Sequence, residues 1–291
     1  MRPPRFSRST LIAAAILGLL GCGREREQHE RGVPVVAVTI FPIADLAREI
    51  AGPAATVITV LPPNASPHAF EPSPNLAREL ADVRLVLAVG AGLDEWADRL
   101  VIGARPRRIA LTDGMPLVDG DPHVWLDPIL VRDRIVPVMT DALVAIAPAS
   151  AEDIRARAAR CQRELTELDA ELRATLAPLA SRGFIASHAA WGYFATRYQL
   201  ESIGVIYRTE GREPSPRELA ELVVRARQAN VRVVFTQPQL GELGVRALAD
   251  EIGAVIATLD PLGGVPGRDS YYALLRYDAH ELARALGGLD G

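Results

Sequence analysis

The sequence contains no lysine, so all 32 of its basic residues are arginine. This absence excludes enzymes that form a Schiff base through lysine, and it excludes the P-loop, whose lysine contacts phosphates. The 36 acidic residues outnumber the basic ones, and the net charge of −4 gives no electrostatic basis for binding nucleic acid.

Cysteine is also scarce, with only Cys22 and Cys161 in 291 residues. We expect Cys22 to carry lipid, as argued below, which leaves Cys161 without a partner for an intramolecular disulfide. The fold must therefore depend on hydrophobic burial, and with 49% apolar residues the chain is long enough for two cores. Cys161 lies on the apolar stripe of a predicted helix, so we expect a buried, unreactive thiol instead of a reactive or metal-binding one.

The first 22 residues have the pattern of a targeting signal. Arginines precede a short apolar segment, residues 11–20, which is too short to span a bilayer comfortably as a mature helix. Residues 19–22 resemble the cleavage site of bacterial lipoproteins, in which the cysteine becomes the lipid-modified first residue. An ordinary secretion signal with a chance cysteine is the alternative. Residues 23–32 have no apolar side chain, so we expect a flexible tether at a membrane surface outside the cytoplasm.

From residue 33 onward, apolar strands alternate with helices, a pattern that predicts parallel sheets in an α/β fold. About four strands are predicted within residues 33–147 and about four more within residues 182–291. Between them, residues 151–177 carry apolar side chains at spacings of three and four, which predicts one helix of about 40 Å. We therefore predict two lobes, each a roughly four-stranded parallel sheet flanked by helices, joined by a long rigid helix within residues 148–181.

Prolines predict where two helices of the first lobe begin and where one of them bends. Ser73 and Asp127 each precede a proline, which is typical of an N-cap followed by the first helical residue. Pro137 falls inside the helix predicted for residues 128–147 and should kink or split it.

Four loops carry the candidate metal ligands. His123 lies between two prolines on a short loop that opens a helix, a rigid position that suits a ligand better than a core residue. His68 and His123 follow predicted strands of the first lobe, and His188 and Asp260 follow predicted strands of the second. Since ligands of parallel sheets bind beyond the carboxyl ends of strands, all four lie where a site is expected. Three neutral imidazoles and one carboxylate form an ordinary zinc site, here between the lobes.

Each of these signals is modest when it is considered alone. His68 could be a surface residue, and His188 could satisfy backbone groups at a helix start. Asp260 could simply cap a turn. A metallo-hydrolase is disfavoured because four protein ligands leave no position for an activated water. A surface adhesin or scaffold that keeps metal for structure remains open, and it predicts that removing the metal unfolds the protein.

Other residues near these motifs receive supporting roles. Asp127 is expected to cap a helix and could orient a histidine from outside the ligand set. Asp119 and Asp121 could make weak outer contacts, and His280 is assigned a structural role in the last predicted helix. The aromatic residues expected to pack around the site are Trp125, Trp191, Tyr193 and Phe194.

The four motifs that contain the candidate ligands are residues 67–74, 121–128, 187–194 and 259–263. In sequence and order they resemble the motifs of the zinc and manganese substrate-binding proteins of bacterial importers (ZnuA/TroA type). The resemblance covers residues 33–289. It implies two α/β lobes joined by one long helix, with a metal ion between them. The ligands that the resemblance implies are His68, His123, His188 and Asp260.

The resemblance also implies a binding protein and not an enzyme. Such a protein captures a divalent metal outside the cytoplasm and delivers it to a membrane permease driven by a cytoplasmic ATPase, an ABC importer. We expect a monomer that is periplasmic or at the cell surface and is anchored to the membrane by lipid on Cys22.

Two departures from the family bear on the metal. Many zinc importers carry a histidine-rich acidic loop in the first lobe, whereas residues 114–120 are short and contain no histidine. Manganese-preferring members often have glutamate at the third ligand position, where this chain has His188, and imidazole favours zinc over the harder manganese ion. We therefore expect Zn²⁺, with Mn²⁺ or Fe²⁺ as the alternative. Because histidine binds metal only when neutral, affinity should fall below a pH of about 6.5.

Overall fold

The computed structural model describes residues 32–80, 82–100, 107–207 and 212–287, which form two α/β lobes joined by one long helix. The expected signal segment, the lipid site at Cys22 and the tether up to residue 31 lie outside the described residues. Within these ranges, no helix is both long and apolar enough to cross a membrane.

The sheet of the first lobe is formed by β1 (Val35–Val38), β2 (Thr56–Thr59), β3 (Val83–Ala88) and β4 (Arg107–Ala110). The strands are parallel and their order is β2-β1-β3-β4. Apart from the exposed Arg84, the central strands β1 and β3 are apolar and almost entirely buried, as expected when helices cover both faces of a parallel sheet. Since all four strands point the same way, their carboxyl ends form one edge.

Two helices of this lobe begin at Pro74 and Pro128, where the N-cap residues Ser73 and Asp127 predicted them. Helix α1 spans Phe41–Ala51 and α2 spans Pro74–Glu79, where the Ser73 hydroxyl accepts the backbone N–H of Leu76 at 3.3 Å. Helix α3 consists of Pro128–Leu130 and Val136–Ile146, joined by the π-helical turn Val131–Ile135. Pro137 is the second residue after that turn, so the predicted split is confirmed. Proline offers no N–H to the preceding turn, and the helix changes its winding there.

Helix α4, Ala151–Leu176, is the predicted long helix. Its 26 residues span about 39 Å. It packs against α1 and α3 of the first lobe and against the last helix of the second lobe. Its buried stripe consists of Ile154, Ala158, Cys161, Leu165, Leu168, Leu172 and Leu176.

The sheet of the second lobe is formed by β5 (Gly183–His188), β6 (Glu201–Tyr207), β7 (Val233–Thr236) and β8 (Val255–Thr258), in the order β6-β5-β7-β8. Its strands are also parallel. The helices of this lobe are α5 (Gly192–Tyr198), α6 (Pro216–Gln228), α7 (Leu243–Ile252) and α8 (Tyr271–Leu286).

The hydrophobic core does not divide between the lobes. One cluster of buried side chains runs from β1 and β3 through the stripe of α4 to Phe184, Phe235 and Leu259 of the second lobe. A smaller cluster lies on the far face of the second sheet, under α6 and α7. The apolar content of the chain had allowed for two cores. The continuous core instead makes the long helix an internal element that both lobes share.

Candidate metal centre

His68 is presented by the loop that follows β2. The indole N–H of Trp96 donates to the carbonyl of Pro67 at 2.8 Å, and the Phe70 ring packs edge-on against Trp96, with ring centroids 4.7 Å apart. The Ser66 hydroxyl accepts the backbone N–H of His68 at 3.2 Å. These contacts fix the backbone on both sides of a histidine that remains exposed at the rim of the cleft.

His123 is buried, and a carboxylate holds its ring. Asp121 Oδ1 accepts the backbone N–H of His123 at 2.9 Å and lies 2.6 Å from its Nδ1. Because a carboxylate only accepts, Nδ1 carries the hydrogen and Nε2 is left with a free lone pair. Carboxylates paired in this way with histidines orient the ring and raise its basicity as a ligand. The weak outer contact expected of Asp121 is therefore a direct hydrogen bond.

His188 is the last residue of β5 and is 7% exposed. Its ring centroid lies 5.1 Å from that of His68 and 5.2 Å from that of His123, and the remaining pair is 5.5 Å apart. Each of these histidines offers a nitrogen that lies within 4.8 Å of a nitrogen of the other two. Three imidazoles from both lobes therefore surround one point.

The space between these rings is small. A cavity of about 10 Å³ is bordered by the three histidines, Trp125, Gln237 and Gln239, with prolines and Leu262 completing its wall. This volume is close to the minimum that a single water-sized particle needs. The cavity fits an ion and is too small for an organic substrate.

Asp260 directly precedes Pro261 and Leu262 of the cavity wall, but its carboxylate is not among the ligand atoms that lie within 4.8 Å of one another. It follows β8 and is fully buried. Its Oδ1 accepts the side-chain N–H of Gln239 and the backbone N–H of Leu262, both at 3.0 Å. Its Oδ2 lies 2.9 Å from Arg268 Nη1. The turn-capping role that the sequence allowed for Asp260 is therefore present, together with an arginine partner.

A second buried carboxylate, Asp278, holds the backbone of Asp260 through a hydrogen bond. Asp278 of α8 accepts the backbone N–H of Asp260 through Oδ1 at 2.8 Å. Desolvation raises the pKa of Asp278 well above its ordinary value. This hydrogen bond fixes the position of the Asp260 main chain at the end of β8.

Gln237 and Gln239 also border the cavity and were not predicted from the sequence. Gln237 directly follows β7 and is only 4% exposed, and Gln239 lies two residues further on. The amide oxygen of each is buried with no hydrogen-bond partner among the described residues. A signal existed: two polar side chains at the carboxyl end of a central parallel strand occupy the edge where ligands bind.

The surroundings of two of the histidines lower their pKa. Burial, followed by the neighbouring His123, lowers the pKa of His68 to about 4. Burial, followed by His123 and then His68, lowers the pKa of His188 to about 3. Both rings should therefore stay neutral below pH 6.5, because a charged ring would lie beside other imidazoles in a partly desolvated site. The fall in metal affinity expected below pH 6.5 stays a prediction.

Aromatic side chains connect the two lobes around the cavity. The Trp125 indole N–H donates to the carbonyl of Pro261 at 2.7 Å, and the Tyr271 hydroxyl donates to the carbonyl of Trp125 at 2.7 Å. The Tyr193 hydroxyl accepts the backbone N–H of Val118 at 3.1 Å and lies 3.2 Å from the carbonyl of Asp121. The expected burial is confirmed for Trp125, Trp191 and Phe194, whereas Tyr193 is half-buried and joins the lobes.

Comparison with known families gives a match over most of the chain. The family model of the periplasmic zinc-uptake complex component A, ZnuA, matches residues 36–285. The high-affinity zinc uptake system protein ZnuA of Bacillus subtilis is 25% identical over 287 residues, covering 90% of each chain. The zinc-binding protein AdcA of Streptococcus pyogenes is 24% identical over 85% of this chain, which spans only about half (55%) of that longer relative.

Solved structures agree with this family. A zinc-bound crystal structure of a ZnuA deletion mutant has a TM-score of 0.79 and 30% identity, and it covers 89% of this chain and 100% of that one. Both the two-lobed fold and the long connecting helix are thus those of a known class of metal-binding proteins.

Proposed function

This chain belongs to the ZnuA family of periplasmic zinc-uptake components, and we propose that it captures a divalent metal ion between its lobes and delivers it to an ABC importer. The family consists of solute-binding components of metal uptake systems and not of enzymes. The observation that carries the proposal is the triangle of imidazoles, whose nitrogens lie within 4.8 Å of one another. We assign His68, His123 and His188 as ligands and Asp260 as the fourth.

We propose zinc as the preferred cargo. Three neutral imidazoles and one carboxylate suit the tetrahedral coordination of Zn²⁺, whereas Mn²⁺ prefers more oxygen ligands. Support comes from the low pKa of His68 and His188, which keeps both rings neutral and available for metal at physiological pH. Mn²⁺ or Fe²⁺ is the alternative cargo.

Release at the permease is proposed to need only small movements. The long helix α4 packs on both lobes, and the hydrophobic core is continuous through it. A wide hinge opening would break the Trp125–Pro261 hydrogen bond and expose part of that core. Rearrangement of the loop that carries the exposed His68 would leave the Trp125–Pro261 hydrogen bond in place.

We propose that the protein works outside the cytoplasm, as the periplasmic family name indicates. Lipid on Cys22 would hold the protein near the permease, and residues 23–32 would act as a flexible tether between the lipid and the folded lobes. Detection of a lipid-modified Cys22 by mass spectrometry of the membrane fraction tests this part of the proposal, and a soluble product cleaved elsewhere would refute it.

Titration calorimetry of the metal-free protein with Zn²⁺ and Mn²⁺ tests the cargo and the site. We expect tight 1:1 zinc binding and at least about 100-fold weaker binding for His123→Ala, since even residues that only orient ligands cost 10–100-fold. His280→Ala, an exposed histidine on α8, is the matched control and should bind zinc as the parent does. Equal affinities for both variants would refute the assignment.

The adhesin alternative is separated by thermal melting with and without a chelator. A transport protein must remain folded after it has released its cargo, so we expect a cooperative melting transition in the chelated sample. Loss of that transition would indicate metal held for structure.

A further inference from the structure

Asp260 already has a cation as its partner. Arg268 Nη1 lies 2.9 Å from Oδ2 of Asp260, and the exposed fractions of the two side chains are 20% and 0%. Oδ1 accepts two N–H groups, from Gln239 and Leu262. Among the described residues, Arg268 makes the only ion pair with Asp260. The proposed fourth ligand is therefore neutralised without a metal ion.

The position of Arg268 is fixed by its loop. The backbone N–H of Gly264 donates to the Arg268 carbonyl at 2.8 Å, and the Arg268 N–H donates to the carbonyl of Val265 at 2.9 Å. The guanidinium carbon lies 4.6 Å from the ring centroid of Tyr277. Gly264 has φ +77, and an added Cβ would lie 3.0 Å from the Phe41 ring of the first lobe. Backbone and ring together therefore direct this guanidinium towards Asp260.

A buried carboxylate that stays ionised needs a nearby positive charge. Removing one partner of a buried ion pair leaves an uncompensated charge, which strongly destabilises a protein. A metal ion held by the three histidines would supply positive charge to Asp260 while it is bound. Once the ion leaves, another cation must compensate the carboxylate, and Arg268 lies in position to do so. While the metal is bound, however, two cations share one carboxylate and repel each other.

We propose that Arg268 is a resident counter-ion that compensates the charge of Asp260 when the metal leaves. It stabilises the metal-free protein and lowers the metal affinity, and so it favours release of the cargo. This inference rests on the proposed function, since it requires metal at the histidine triangle with Asp260 as a ligand. Arg268 is a positioning residue that acts through Asp260.

Arg268→Gln tests the proposal because it removes the charge and keeps a hydrogen-bonding side chain. We expect the metal-free variant to melt at a lower temperature than the parent. We expect its zinc affinity to rise by at least about ten-fold, with slower zinc dissociation, because the electrostatic competitor is gone. A merely structural arginine would lower stability without tightening zinc binding.

The matched control is Arg276→Gln. Arg276 lies on α8 and pairs with the exposed Glu171 of α4 at 2.9 Å. The Arg276→Gln variant should have the same zinc affinity and zinc dissociation rate as the parent. Arg268→Lys keeps the charge but not the planar guanidinium, so we expect zinc binding closer to that of the parent than to that of Arg268→Gln.

A double-mutant cycle with Asp260→Asn isolates the coupling. In that background Arg268→Gln should no longer tighten zinc binding. The inference is overturned if Arg268→Gln binds zinc with equal or lower affinity, or if it tightens binding equally in both backgrounds. It is also overturned if the variant fails to fold even when it is produced and purified with zinc.

Failure of this inference is distinguishable from failure of the proposed function. If His123→Ala loses zinc affinity and Arg268→Gln does not gain any, the histidine site stands and only the role of Arg268 is wrong. If His123→Ala retains full affinity, the site itself is wrong and the role of Arg268 fails with it.

Discussion

Arg197 of α5 holds Asp127 of the first lobe through two parallel hydrogen bonds. Arg197 Nε donates to Oδ1 at 2.9 Å and Nη2 donates to Oδ2 at 2.8 Å. Asp127 Oδ1 also accepts the backbone N–H of Ile129 at 2.9 Å, which makes it the N-cap of α3. One carboxylate thus starts a helix behind His123 and ties the two lobes together.

Removing this arginine should destabilise the protein. Asp127 is buried and the Arg197 side chain is 23% exposed, so Arg197→Ala would leave a largely buried carboxylate without its partner. We expect a loss of about 2–3 kcal/mol in the free energy of unfolding, below the full value for a completely buried pair because Arg197 is partly solvated. Urea unfolding of the metal-free protein measures this change.

The control for that measurement is an ion pair at the surface. Arg217 pairs with Glu221 at 2.9 Å on the exposed side of α6. Arg217→Ala should change the unfolding free energy by no more than about 0.5 kcal/mol. If both variants changed the unfolding free energy equally, the Asp127–Arg197 pair would contribute no more to stability than an exposed surface pair.

Asp121 should control metal affinity without touching the metal. Its Oδ1 accepts the backbone N–H of His123 and pairs with Nδ1, so Asp121→Ala would free the ring to rotate. We expect zinc binding to weaken by 10–100-fold with little change in the melting temperature. Calorimetric titration measures this, and the exposed Asp113→Ala serves as the control. An unchanged affinity would show that His123 is oriented by packing alone.

Metal binding should persist to lower pH than free histidine would allow. Two imidazoles of ordinary pKa would together lose about 100-fold in affinity between pH 7.5 and pH 5.5 through proton competition. Because the pKa of His68 is about 4 and that of His188 about 3, these residues should contribute almost none of that loss. Zinc titrations at both pH values and at pH 4 check this, and a steep loss already at pH 6 would contradict it.

The same pKa shifts predict how the metal-free fold responds to acid. In the unfolded chain the imidazoles take up protons near pH 6.5, whereas the folded protein resists this until about pH 4 for His68 and pH 3 for His188. The unfolded state therefore binds more protons, and stability falls as the pH drops from about 6.5 towards 4. Melting curves at several pH values measure this, and His188→Gln should flatten the decline.

Cys161 should not react in the folded protein. It is fully buried on the α4 stripe, and burial, followed by the charge of Glu49, raises the pKa of its thiol to about 12. We expect no alkylation by iodoacetamide at about pH 8 and complete alkylation in urea, since the thiolate is the reactive form. Peptide mass mapping identifies the residue, and rapid native labelling would show that the core opens.

Local sequence patterns were sufficient to predict the two sheets, the long helix and several helix starts. Apolar residues at the right period determine which face of α4 is buried, and Ser73 and Asp127 satisfy N–H groups only two or three residues away. Such contacts depend on neighbours along the chain and can be read from it. The carboxyl ends of parallel strands likewise indicated where His68, His123 and His188 would meet.

Long-range packing decided the rest. The Asp127–Arg197 pair joins residues 70 positions apart, and no local pattern announces it. The low pKa of His68 and His188 arises because three separate chain segments converge, which partly desolvates these rings and places them beside other imidazoles. The sequence by itself determined which side chains could bind a metal. Only the tertiary structure decided that Asp260 is held by Arg268, since charges become partners through the folding of distant segments.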